Sequence, residues 1–179
     1  DEQLSGSEVN FIIDIGDSLP EGLILDETRI KQVLFNLISN AVKFTENGYI
    51  KVAAFNRNHQ IHSPNVDFVF QVIDTGLGIP DDQKEKVFGA FEQRSGQCSA
   101  KYGGTGLGLA ISKTLVELMN GSLNMKDTPG GGSTFSVLIP GVEVTTLNDS
   151  ELEEEQEQEH LNYKFTPATV LVVDDVRLN

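Results

Sequence analysis

The chain has 179 residues and a net charge of −14, with 13 Lys and Arg against 27 Asp and Glu. That balance repels a phosphate backbone and argues against nucleic-acid binding. One Cys excludes an intrachain disulfide, and no apolar run approaches the roughly 18 residues of a membrane span.

Asp1-Glu2-Gln3-Leu4 is not a signal peptide, and there is no initiating Met, so the chain is expected to be a piece of something longer. An apolar run over residues 9–15, with Phe11, Ile12 and Ile13, predicts a strand. Asp26 suits the N-cap of a helix that runs to Phe44. Ile30, Val33, Leu34, Leu37, Ile38, Ala41, Val42 and Phe44 mostly follow i, i+3, i+4, i+7 spacing, which gives one broad core stripe. Glu46-Asn47-Gly48 reads as a turn before a pair of strands, 49–56 and 66–74. Pro80-Asp81-Asp82 starts a short helix through Val87. A second long helix is predicted over 106–119, with Gly121 suited to a left-handed cap at its end. Two more strands, 122–126 and 133–139, flank Pro129-Gly130-Gly131-Gly132. Strands and helices mix without strict βαβ alternation. That predicts an α+β two-layer sandwich, a mixed sheet with helices on one face.

The apolar run stops at Pro140–Gly141, so residues 1–141 are expected to form the domain. Seven carboxylates crowd into residues 149–159. Like charges at that density resist packing, and residues 142–166 read as an acidic linker. Residues 167–179 then hold a buried-type strand that ends in Asp174-Asp175.

Three segments carry chemistry. Asp74-Thr75-Gly76-Leu77-Gly78-Ile79-Pro80 closes a strand. Its carboxylate can accept from an exocyclic amine, and its glycines admit a ligand close to the backbone. Gly103-Gly104-Thr105-Gly106-Leu107-Gly108-Leu109 opens a helix, and free N–H groups at such an end suit phosphate. No Gly-Lys-Ser/Thr follows, so it is not a P-loop. Asn36 and Asn40 stand i, i+4 on the first long helix, with Lys43 on the same edge. An Asn carbonyl with phosphate and water oxygens suits Mg²⁺, and Lys43 can neutralise phosphate. Base, phosphates and metal are three parts of one nucleotide.

Four ordered boxes resemble the ATP-binding catalytic domain of bacterial sensor histidine kinases. That Bergerat fold is shared with type II topoisomerases, a class of heat-shock chaperones and the MutL repair proteins. Gln32 to Thr45, with Asn36 and Asn40, resembles the Asn box. Asp74 to Ile79 resembles the first Gly box, Phe88-Gly89-Ala90-Phe91-Glu92-Gln93 the Phe box, and Gly104 to Ile111 the second Gly box. The resemblance covers residues 8–140. It implies ATP and Mg²⁺ as ligands, with Asn40 on the metal and Asn36 nearby. Lys43 and Phe44 line the phosphate and base sides, and Asp74 pairs with the adenine amine. Gly76, Gly78 and Ile79 shape the pocket, while Gly104, Thr105, Gly106, Leu107 and Gly108 wrap the phosphates. The segment between the Gly boxes is implied to be a mobile lid. The tail resembles the start of a response-regulator receiver domain, which points to a hybrid kinase. Implied partners are upstream dimerisation and histidine-phosphotransfer helices, a receiver domain and a response regulator. The implied setting is a cytoplasmic domain, without membrane contact of its own, of a membrane-anchored parent.

Two positions depart from the pattern. ATPases of this fold carry a Glu base four residues before the metal-binding Asn; here Asn36 stands there, which disfavours water activation. In the lid, Ser95 and Ser99-Ala100 replace an Asp and a Thr-Arg pair, leaving Arg94 or Lys101 to face phosphate. His59, His62 and His160 lack the helical setting of a phosphoacceptor and read as loop residues. Cys98 reads as incidental.

Overall fold

The computed structural model describes residues 8–58, 63–84, 86–89 and 106–145. The described residues all fall within one compact unit, Asp1–Thr146. The acidic run, the Asp174-Asp175 strand, His59, His62, His160, Phe91 and Cys98 lie outside the described residues.

The order is β1 (Glu8–Ile15), β2 (Gly22–Leu23), α1 (Glu27–Phe44), β3 (Asn47–Asn56), β4 (Asn65–Asp74), α2 (Asp81–Lys84), α3 (Gly108–Leu118), β5 (Ser122–Asp127) and β6 (Ser133–Thr145). The described strands form one mixed sheet in the order β1-β3-β4-β6-β2, with β5 also on β6. β1 runs parallel to β3, from Glu8 opposite Asn47 to Ile15 opposite Ala54. The other pairings are antiparallel.

α1 forms where its cap and its period agree. Asp26 Oδ1 accepts from the Arg29 N–H at 3.0 Å, and the Arg29 guanidinium meets Asp26 Oδ2 at 2.9 Å. Val33, Leu37 and Ala41 from α1 share one core with Val116 from α3 and with Ile50, Phe70, Val72, Phe135 and Val137 from the sheet. Burying each of the Val, Leu, Ile and Phe side chains contributes about 1.5–3 kcal/mol. Both long helices pack on that core, giving the two-layer α+β arrangement.

Two local expectations are corrected. The left-handed residue at the end of α3 is Asn120, at φ 57, rather than Gly121. Asn tolerates that conformation. Gly121 is needed for a different reason: a Cβ there would stand 2.5 Å from the Leu138 carbonyl. The strand end read at Pro140–Gly141 is a bulge. Pro140 and Gly141 together oppose Asp67, between the pairs Phe68–Ile139 and Val66–Val142. Pro140 has no N–H for a ladder bond, and the bulge absorbs it. The Gly141 N–H donates to Asp67 Oδ1 at 3.1 Å, so β6 runs on to Thr145 and buries Val142.

α2 is shorter than expected. Beyond Lys84 the chain turns by i→i−3 bonds, from Lys86 to Gln83 and from Gly89 to Lys86. Lys84 Nζ ties Asp81 to Asp127 at the end of β5, at 2.5 and 2.6 Å. This leads the chain to Phe88, which meets Phe135 edge-on at 6.3 Å.

Candidate nucleotide site

The site is built where the end of β4 meets the end of α1. Asp74 is the last residue of β4 and is only 5% exposed. Its Oδ1 accepts from the N–H groups of Gly76 at 2.9 Å and Ser133 at 3.2 Å. Both bonds fall on one oxygen, so Oδ2 has no partner among the described residues and remains available to an outside donor. Burial pushes the carboxyl above the ordinary aspartate range, against the opposing pull of those two N–H groups.

The loop after Asp74 is held from three sides. The Thr75 hydroxyl accepts from the Tyr49 N–H at 2.9 Å. The Leu77 N–H donates to the Phe44 carbonyl at 3.2 Å. Gly76 lies so close to α1 that a Cβ would stand 2.2 Å from that same carbonyl. Gly78 backs onto Gly132, and Ile79 packs against the core. A hollow of about 280 Å³ opens here, lined by Phe44, Glu46, Asn47, Thr75, Gly76 and Leu77. Lys43 Nζ lies 5.0 Å from the centre of the Phe44 ring.

The other end of the α1 edge meets α3. Asn36 Nδ2 donates to Ser112 Oγ at 2.8 Å. A Cβ on Gly108 would stand 2.1 Å from Asn36 Oδ1. α3 begins with Leu107 at its N-cap, and no side chain caps the first N–H groups. Gly106 just before it has φ 68. Among the described residues this helix end therefore presents unpaired donors and the positive end of the dipole. Asn40 lies one turn from Asn36, half-buried. From Asn36 to Phe44 the helix rises about 12 Å at 1.5 Å per residue, a span that suits a nucleotide lying from base to phosphates.

The structure thus brings Asn36 to Gly108, and Phe44 to Gly76 beside Asp74. Arg94, Lys101, Gly104 and Thr105 lie outside the described residues. Two contributors were not singled out from sequence. Ser133 offers only a backbone N–H, which no side-chain pattern marks. Ser112 had a signal: a polar residue one turn after Gly108, on the face that buries Val116.

The chain is similar to known proteins in the same terms. Residues 25–143 match the family described as "Histidine kinase-, DNA gyrase B-, and HSP90-like ATPase". It is 39% identical over 127 residues to the signal transduction histidine-protein kinase BarA of Escherichia coli K12, covering 71% of this chain and 14% of BarA. It is 36% identical over 163 residues to the aerobic respiration control sensor protein ArcB of the same strain, covering 90% of this chain and 19% of ArcB. The chain therefore spans under a fifth of either relative's length. Full-length ShkA, crystallised with AMPPNP, matches at TM-score 0.64 and 30% identity, over 81% of this chain and 28% of ShkA. The nucleotide-free catalytic domain of the histidine kinase ThkA matches at TM-score 0.57 and 29% identity, over 78% of this chain and 85% of that domain.

Proposed function

The chain belongs to the histidine kinase-, DNA gyrase B- and HSP90-like ATPase family, and on that premise we propose that it is the catalytic domain of a hybrid histidine kinase. It binds Mg-ATP and presents the γ-phosphate to a histidine on an upstream dimerisation domain. A receiver domain and a response regulator take the phosphoryl group onward. The observation that carries this reading is the layout of the α1 edge. One end adjoins Asp74, with a free carboxylate oxygen for the adenine amine. The other end adjoins the uncapped start of α3.

Asp74 reads the base, with Gly76, Gly78, Ile79 and Phe44 around it. Gly106, Leu107 and Gly108 face the phosphates, together with Gly104, Thr105 and either Arg94 or Lys101. Lys43 adds positive charge. The donors fit Mg²⁺ that arrives with the nucleotide. Asn40 offers one amide oxygen, phosphate and water supply the rest, and the described residues hold no group of three His, Cys, Asp or Glu that would bind a metal unaided. Bound there, Mg²⁺ would neutralise charge on the transferring phosphoryl group. Asn36 in place of a carboxylate leaves no base at that position to activate water, which favours transfer over hydrolysis.

The test is to place a dimerisation domain from a similar histidine kinase before residue 1 and supply labelled ATP. Acid-labile label on that domain's histidine supports the reading. Steady phosphate release by the chain alone, with no transferred label, would make it a self-contained ATPase instead.

A further inference from the structure

Ser112 is 1% exposed. A buried hydroxyl costs stability unless it is hydrogen-bonded, and here its partner is the Asn36 amide at 2.8 Å, 76 residues away in the chain. One turn earlier on α3, the bare Cα of Gly108 admits the other side of the same amide. Two residues of α3 thus clasp a single side chain of α1. The clasp fixes the amide's direction, with Nδ2 toward Ser112 and Oδ1 toward Gly108, the first residue of α3.

We propose that Ser112 is a positioning residue of the nucleotide site. It holds the Asn36 amide, and through it keeps the polar edge of α1 in register with the start of α3. The edge carries Asn40 and Lys43, and the helix start carries the donors for phosphate. Without the clasp each set survives, but their separation is no longer fixed. The inference rests on the nucleotide reading above and adds a residue to it.

The test uses the full 179-residue chain in calorimetric titrations with Mg-ATP and with adenosine, on Ser112→Ala, Asn36→Ala and the double variant. Ala is a good helix former, and melting curves confirm the fold. Ser112→Ala should weaken Mg-ATP binding about five- to tenfold, the effect of losing one hydrogen bond. Adenosine, which has no phosphate to align, should bind as before. In the Asn36→Ala background, Ser112→Ala should cost nothing further, because Ser112 acts through Asn36. An equal loss for ATP and adenosine, or an undiminished loss in the Asn36→Ala background, would make Ser112 a packing residue and overturn the proposal. So would unchanged ATP affinity in Ser112→Ala. If the unaltered chain binds no nucleotide, the underlying reading falls, and this inference falls with it.

Discussion

Gly132 passes directly against Asp74. A Cβ on Gly132 would stand 2.1 Å from the Asp74 carbonyl oxygen and 2.7 Å from the Thr75 Cα. That closeness places the next residue, Ser133, where its N–H reaches the Asp74 carboxylate. The glycine-rich turn between β5 and β6 is therefore part of the candidate site's wall.

Gly132→Ala and Gly130→Ala separate contact from conformation. Both glycines have positive φ, 96 and 90, which costs an L-residue about 1–2 kcal/mol. Only Gly132 has neighbours in the way; nothing lies within 4 Å of a Cβ on Gly130. Gly132→Ala should lower the melting temperature clearly more than Gly130→Ala, and it alone should weaken nucleotide binding. Equal losses would remove the contact from the account.

Asp74→Asn should split stability from binding. The amide oxygen still accepts from Gly76 and Ser133, and no buried charge remains to be desolvated. The melting temperature of the ligand-free chain should stay level or rise. ATP affinity should fall about tenfold to a hundredfold, the loss of one charge-assisted bond of about 1.5–3 kcal/mol. Affinity equal to that of the unaltered chain in calorimetry would remove Asp74 from the site.

Acid should act on the same group in two opposite ways. Burial raises the Asp74 pKa in the folded chain. Its contribution to stability is therefore present below the unfolded aspartate pKa and is lost as pH rises through the folded one. On the proposed role of Asp74, ATP binding needs the charged form and should weaken as pH falls through that raised value. Asp74→Asn should flatten both dependences across that window. An affinity profile in the variant as steep as in the unaltered chain would assign the titration to another group.

Much of the scaffold was legible in the sequence because several signals agreed. α1 has its cap at Asp26 and a clean apolar stripe, and its bounds came out as read; the turn read at Glu46-Asn47-Gly48 is instead the start of β3, because Asn47 and Gly48 pair with Glu8 and Val9 of β1. The Asp74 turn and the polar edge Asn36, Asn40, Lys43 were also legible, since amides in mid-helix and glycines after a buried strand are unusual choices. β2 was not legible: Gly22–Leu23 is two residues long and is a strand only because Val144 and Thr145 reach it. The bulge at Pro140–Gly141 was hidden for the same reason. Its meaning depends on Asp67, over seventy residues away. Ser112 needed the spatial partner Asn36 before its burial had a reason.

If Asn40 gives an oxygen to the metal, as proposed, Asn40→Ala should impair Mg-dependent nucleotide binding far more than Mg-free binding. Titrations with ATP in the presence of Mg²⁺ or of a chelator read this directly. A loss of equal size in both would make Asn40 structural.

The central claim is that Asp74 reads an amine on the base, and base choice tests it most directly. Adenine carries an exocyclic amine where guanine carries a carbonyl, which the Asp74 carboxylate would repel. Calorimetry of the full chain with Mg-ATP and Mg-GTP should show ATP bound at least about tenfold more tightly. Asp74→Asn, whose amide can donate to that carbonyl, should close the gap. Equal affinity for ATP and GTP in the unaltered chain, or an unchanged preference in Asp74→Asn, would contradict the account.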